Sequence, residues 1–422
     1  MDLYRSHEAA GAEQGPQDHR PPLHGLRVLD FSHYLSAATC GLVLADMGAS
    51  VAKVERSGSG DDFRKLGPEL GGAAAAFQWA NRNKQGLVLD LKSAPGQTVA
   101  RELAQTADIL IENYSTGVMD RLGLGAQALL DLSPGLIYCS ISAYGRTGPY
   151  AARPGFDPVV QAESGLISVT GPLGTDGSRV GAPVGDVGTG LLAAIAVLGA
   201  LAARSRTGRG QHVEVSLFDS AITLTALPIM NYLANGVVPR PTGSTSREAA
   251  PVDFFETADG ALFIACTSNS LFERLVRQVL QCPALLEDAR FASNNARYAN
   301  REALRTEMEV VLRTRARAEW MPLLLGANVP AGLLNSIPDV LAAEEFTSRG
   351  LLSQVPGPQG EPIPSLALPF RFADTPSAVP FRAPLQGEHT QQILGDWLGC
   401  SPQRLRELAA DGAFGAAISA IP

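Results

Sequence analysis

From Leu26 onward, short runs rich in Val, Leu and Ile alternate with longer amphipathic stretches. LRVLDF, ASVAKVE, QGLVLDL, ADILIENY and GLIYCSISAYG have strand length and few polar interruptions, and AATCGLVLADMG lies between the first two. Near-continuous apolar strands separated by helices predict a parallel sheet covered by helices on both faces. Ser93, followed by Pro95, predicts a capped helix running to Thr106. The apolar run Gly190 to Ala203 predicts a buried helix and falls short of the roughly 20 residues a bilayer span needs. QHVEVSL then adds a strand, and DSAITLTALPIMNYLANG one more helix.

The pattern changes at VVPRPTGSTSREAAP, which reads as a linker. Beyond it, VDFFETADGALFIACTS predicts a hairpin turning near Asp259 and Gly260, followed by helices to about Asn335. The last stretch predicts a helix, a Pro-rich extended segment and two more helices, and no internal repeat is visible. The expected fold class is α/β: a Rossmann-like large domain with a parallel sheet, plus a smaller α+β domain. The expected organisation is a disordered tail over 1–21, a large domain over 22–225, a small domain over 226–335, and a segment over 336–422 that returns to the large domain.

Composition narrows the function classes. At 422 residues, with 45% hydrophobic and 18% charged positions, the chain can bury a large core and is not of disordered type. The formal charge of -8 gives no footprint for nucleic acid, so any anionic ligand must be held by a few local cations. Five cysteines (Cys40, Cys139, Cys266, Cys282 and Cys400) are widely spaced without a C-x-x-C pair. That spacing argues against a zinc ribbon or a disulfide framework and fits a reducing cytoplasm. The polar N-terminal residues lack the apolar stretch of an export signal. No metal and no membrane partner are expected.

SGSGDD, Ser57 to Asp62, has from Gly58 a G-x-G after a strand but lacks the third glycine and the immediate helix of a dinucleotide loop. The P-loop, zincin and nucleophile-elbow patterns are missing. The histidines are scattered, and His33, near the first strand end, is assigned no role. VGDVGTG, Val184 to Gly190, sets Asp186 among glycines before the apolar run. Asp186 is either the cap of a helix starting near Gly188 or an unshielded carboxylate with glycine N–H groups nearby to hold an oxyanion. Spacing leaves both open.

Taken in order, GLRVLDFSHYLSAATCGLVLADMGASVAKVER, NRNKQGLVLDL, ADILIENYSTGVMDRLGLG, SAYGRTGPYAARPGFDPVVQAESGL, VGAPVGDVGTG and SRTGRGQHVEVSLFDS resemble the class III CoA-transferases, the CaiB/BaiF type. The resemblance is strong over about residues 24–220 and weaker to PLQGEHTQQIL. It implies that Asp186 is the catalytic nucleophile, forming an aspartyl anhydride and then an aspartyl-CoA thioester. An aspartate, with an ordinary pKa of about 3.9, suits that task without a partner base. It also implies CoA contacts by Ser36, Arg56, Leu89, Asn113, Tyr114, Arg121 and Phe156, and an oxyanion-holding loop of Gly185, Gly188 and Gly190. CoA and acyl-CoA would be substrates, with no permanently bound cofactor, and the partners a small carboxylic acid and a second copy of the chain in an interlocked homodimer.

Departures from the family pattern refine this. Leu35 stands where formyl-CoA transferases carry a glutamine, and the polyglycine lid is missing between Gly243 and Val252. TSREAAPVDFF lacks the histidine of many relatives. These point away from oxalate and formyl-CoA and towards succinyl-CoA with small dicarboxylates, for which Arg153 is a candidate carboxylate partner. Two rival readings are a 2-methylacyl-CoA racemase, whose histidine falls where this chain has Phe156, and a non-catalytic acyl-CoA-binding protein. Phenylalanine transfers no proton, which counts against the racemase.

Overall fold

A computed structural model of the chain describes residues 19–415, so nearly all of the expected 1–21 tail lies outside the described residues. Two compact units are present. Within the described residues, the first takes everything up to Phe156, Gly185–Ser220, and everything from Leu351; the second takes Asp157–Val184 and Ala221–Gly350. These limits differ from the expected 22–225, 226–335 and 336–422. Composition marks linkers, whereas packing sends 157–184 into the small unit and holds the chain there until Gly350.

The first unit is built on β1 (Arg27–Phe31), α1 (Ser36–Asp46), β2 (Ser50–Glu55), α2 (Ala75–Asn81), β3 (Lys84–Val88), α3 (Ala94–Thr106), β4 (Ile109–Glu112), β5 (Ile137–Ser142), α4 (Val184–Thr207) and β6 (His212–Ser216). The six strands form one parallel sheet in the order β3-β2-β1-β4-β5-β6. Leu29 of β1 pairs with Ala52 on one side and Leu110 on the other. The order therefore reverses direction between β1 and β4, the arrangement of a doubly wound Rossmann-like sheet, which opens a crevice at the carboxyl ends of those strands. The expected helix after Ser93 is present, with the Ser93 hydroxyl accepting from the Gly96 N–H.

Because both faces are covered, the central strand is buried beyond its first residue: Val28, Leu29, Asp30 and Phe31 are all inaccessible. One face packs Leu29, Phe31, Val54, Leu87 and Leu110 against Val99 and Leu103 of α3, and against Ile393, Trp397, Leu405 and Leu408 from near the C-terminus. The buried charge of Asp30 is matched by Lys84, Nζ to Oδ2 2.8 Å. Gly41 of α1 lies over this pair, where a Cβ would come within 2.6 Å of Asp30 Oδ2.

α4 corrects two expectations. It starts at Val184, so VGDVGTG is its first turns rather than a loop ahead of a helix near Gly188. It is also 24 residues long, so length and apolarity no longer exclude a bilayer span. Its buried residues Gly185, Thr189, Gly190, Ala193, Ala194, Val197 and Ala200 nevertheless form one stripe at helical spacing, the mark of a helix seated on protein. The helix expected after β6 is broken into α5 (Leu217–Leu224) and α6 (Ala226–Asn235), bent by 64°.

In the second unit, β7 (Val252–Glu256) and β8 (Ala261–Ala265) form the expected hairpin around Asp259 and Gly260. A third strand, β9 (Ala331–Leu333), pairs antiparallel with β8 where helix was expected. Phe255, Leu262, Ile264, Phe272, Met308 and Trp320 make this unit's core. Back in the first unit, the Pro-rich stretch folds into the antiparallel pair β10 (Leu352–Pro356) and β11 (Pro362–Leu366), ahead of α7 (Thr390–Leu398) and α8 (Pro402–Ala410).

Candidate active site

An open cavity of about 310 Å³ occupies the crevice at the carboxyl ends of β1, β4 and β5. Its wall brings together His33, Tyr34 and Ser36 after β1, Asn113 and Tyr114 after β4, Ser142 to Arg146 after β5, then Arg153, Phe156 and Asp186. These residues come from five stretches of sequence, and the switch point of the sheet is what assembles them.

The turn leaving β1 is held from several sides. Tyr34 takes a left-handed φ of 58°, a conformation costly for a residue with a Cβ. The Tyr34 N–H donates to Asp61 Oδ1 at 3.3 Å, while Asn113 binds both main-chain groups of His33, its Oδ1 accepting from the N–H and its Nδ2 donating to the C=O, each at 2.8 Å. Asp61 in turn meets Lys53 Nζ at 2.9 Å, and both side chains are inaccessible. Burial pushes the Asp61 carboxyl up, yet Lys53 and His33 hold it well below the usual carboxylate range. The anchored His33 ring places Nε2 3.0 Å from the Tyr114 hydroxyl and Nδ1 3.8 Å from Asp61 Oδ1.

Tyr114 is clamped through its main chain as well. Its N–H donates to Glu112 Oε2 at 2.9 Å and its C=O accepts from Arg146 at 2.6 Å, with Arg146 also bonded to Glu112 Oε1 at 2.7 Å. Burial pushes the Tyr114 phenol up to about 12, so it stays a neutral hydroxyl at physiological pH. Arg153 lies with its guanidinium 5.0 Å from the Tyr144 ring centroid and 5.3 Å from that of Tyr150, a geometry suited to cation–π attraction.

Asp186 sits in the first turn of α4, half-buried, where the helix dipole favours a negative charge. The glycines around it do not form a loop. Gly188 and Gly190 lie past the first turn, so their N–H groups belong to the helical ladder, and any oxyanion donors must come from the turn that holds Gly185. Gly190 has a packing task instead: a Cβ there would come within 2.4 Å of the Ser36 carbonyl and 2.5 Å of Thr39 Cβ on α1.

Of the expected CoA contacts, Ser36, Asn113, Tyr114 and Phe156 line the cavity with Asp186, Phe156 being 58% exposed and edge-on to Tyr34. Leu89 does not reach it. Its side chain is fully buried in the core against the C-terminal helices, which leaves only its main chain for a ligand. Arg56 and Arg121 stand outside the cavity wall. Arg56 is half-exposed and paired with Asp62 at 2.5 Å, close enough for its charge to act on Tyr114; Arg121 is exposed at the end of a short helix over Val118–Arg121. His33, left without a role by the sequence, and Arg146 are the additions. Their signal is position: His33 follows the carboxyl end of β1, at the switch point, and Arg146 that of β5, next to β4.

The family model for CoA-transferase family III matches residues 23–390. The chain belongs to CoA-transferase family III. It is 35% identical to a succinate–glutarate CoA-transferase of Agrobacterium fabrum over 89% of this chain and 96% of that one, and 32% identical to a succinyl-CoA:glutarate CoA-transferase of Mus musculus over 95% and 92%. An acetyl-CoA:oxalate CoA-transferase of Acetobacter aceti is 36% identical over 81% and 87%. Among solved structures, a CaiB/BaiF family protein from Brucella suis superposes with a TM-score of 0.80 at 37% identity, covering 90% of this chain and all of its own. The protein is thus an enzyme that transfers CoA.

Proposed function

We propose that this family III CoA-transferase moves CoA from succinyl-CoA or a similar donor to a small carboxylic or dicarboxylic acid, with Asp186 as covalent nucleophile. A carboxylate oxygen of Asp186 attacks the donor thioester, the C–S bond breaks, and CoA thiolate leaves a mixed anhydride. The thiolate then attacks the aspartyl carbonyl and expels the donor acid, giving an aspartyl-CoA thioester. The acceptor carboxylate attacks this thioester, and the released thiolate finally takes the acceptor acyl group and frees Asp186. Arg153 supplies positive charge for the acid. The observation that carries the reading is the placement of Asp186 on the wall of the cavity at the switch point, in the first turn of α4. Similarity to relatives named succinate–glutarate and succinyl-CoA:glutarate CoA-transferases supports a dicarboxylate acceptor. The oxalate-using relative removes the ground for excluding oxalate, so the acceptor panel includes it.

The test is CoA exchange with Asp186→Asn. Exchange between succinyl-CoA and glutarate, or another acid of the panel, is expected to fall by at least about 10³-fold, as for loss of a covalent nucleophile. Intact-mass measurement of the wild type after incubation with donor should find a CoA adduct on the peptide bearing Asp186, and an active Asn variant would overturn the assignment. The racemase reading meets one new fact, since His33 shares the cavity with Asp186. Its Nε2 is occupied by the Tyr114 hydroxyl, which argues against a proton-transfer role. Deuterium uptake at Cα of a 2-methylacyl-CoA in heavy water would reverse that conclusion.

The same reading places the enzyme in the cytoplasm, where its free cysteines, Cys40 and Cys139 buried among them, stay reduced. It also makes the enzyme a homodimer, interlocked as the family resemblance implies. Exposed apolar side chains along α6 support a covering second copy.

A further inference from the structure

We propose that the chain carries a second ligand site, for a short-chain carboxylate with an apolar tail, in the chamber between α2 and the β10–β11 hairpin. The chamber measures about 240 Å³ and lies wholly within the first unit. Two buried polar atoms, Trp79 Nε1 and Ser365 Oγ, have no hydrogen-bond partner among the described residues, and both residues line it. Ser365 is 7% exposed, so its hydroxyl has little recourse to bulk solvent.

The other polar groups on the wall fix the ligand's chemistry. Arg82 and Arg382 are 3% and 8% exposed, and neither of their carboxylate partners, Asp46 and Glu388, lines the chamber. The Gln78 amide is already spent: Nε2 donates to the carbonyls of Leu70 and Gly71, and Oε1 accepts from the Ala383 N–H. The wall therefore offers two unpartnered groups, an indole N–H, which can only donate, and a hydroxyl, beside two guanidinium groups that already donate to Asp46 and to Glu388. A matching guest presents acceptors to the indole N–H and the hydroxyl, and a carboxylate supplies two close together. The remaining wall, with Val355, Ile363 and Leu366, is aliphatic, and the volume lies below the roughly 300–1,000 Å³ of ordinary ligand pockets, which limits the guest to a short chain.

The hairpin wall is seated closely. A Cβ on Gly71, in the turn between the short strands Glu69–Leu70 and Ala73–Ala74, would come within 2.1 Å of Ile363 Cδ1. The site thus has a fixed back and does not depend on the catalytic reading.

The chain contains three tryptophans, so the full-length protein labelled with ¹⁵N at the indoles gives three side-chain N–H signals, and Trp79→Phe identifies the one from Trp79. Titration with butyrate or hexanoate should move that signal downfield to saturation, while butanol leaves it in place. Ser365→Ala should weaken the titration by at least about tenfold, the worth of one hydrogen bond to a charged group. Asp186→Ala should leave it unchanged, which separates this site from acids bound at the catalytic cavity. A Trp79 signal that no carboxylate moves, an equal response to butanol, an unaltered titration in Ser365→Ala, or a crystal structure with a partner's chain filling the chamber would overturn the proposal.

Discussion

Lys53 and Asp61 are enclosed together beneath the turn that carries His33 and Tyr34. Removing one charge of such a pair strands the other in a low-dielectric site, so Asp61→Asn is expected to cost about 3–5 kcal/mol in urea unfolding. The amide oxygen still accepts from the Tyr34 and Phe63 N–H groups, which confines the loss mainly to the charge. Asp61 is held below its ordinary range in the folded chain, so its stabilisation is fully present above the unfolded carboxyl value of about 4 and is lost as pH falls further. Asp61→Asn should therefore flatten the acid limb of the stability profile; an unchanged limb would show that Asp61 does not set it. At this scale the sequence was legible in place rather than task, since Asp186 and Asn113, grouped by the family resemblance, both line the cavity. It was illegible where one position serves two environments. Leu89 follows the end of β3 yet turns its side chain into the core, and His33 meets Asp61 and Tyr114 only in the fold, since both are remote in the chain.

α4 shows how one element serves packing and chemistry together. Its stripe of glycine, alanine and threonine lets it approach α1 so closely that Gly190 has no room for a methyl group. Gly199, exposed on the same helix, has nothing within 4 Å of a Cβ. Gly190→Ala is therefore expected to destabilise by about 1–3 kcal/mol through overpacking and to lower CoA transfer, because the shift displaces Asp186 one turn away. Gly199→Ala should instead stabilise by roughly 0.5–1 kcal/mol, the ordinary gain of alanine over glycine in a helix. Equal effects of the two in thermal unfolding would show that the α1–α4 contact does not depend on Gly190. The apolar run announced this helix but not its start, because glycines read locally as loop while the contact that rewards them is with α1. β9 was hidden for a similar reason: three residues carry too little pattern, and only the exposed edge of β8 makes them a strand.

At the scale of the whole molecule, the alternation of strands and helices disclosed a wound parallel sheet, but the order β3-β2-β1-β4-β5-β6 depends on crossovers that periodicity does not encode. The apolar surface left over bears on assembly. α6, ALPIMNYLAN, contains no charged residue and buries none of its side chains; Leu227, Met230 and Leu233 are 77%, 60% and 68% exposed at spacings that place them on one face. A large exposed apolar face marks a contact surface, and the proposed homodimer would cover it without requiring another gene product. The protein is accordingly expected to run at twice its chain mass of 44.3 kDa in light scattering at micromolar concentration. Leu227→Glu with Leu233→Glu forfeits about 1.5–3 kcal/mol of burial per leucine in each copy and adds charge repulsion, so it should shift the population towards monomer. Loss of CoA transfer in step with the dimer would tie the active site to assembly. A monomeric wild type, or one that associates only with detergent or vesicles, would refute the dimer and assign the α6 face to a different surface.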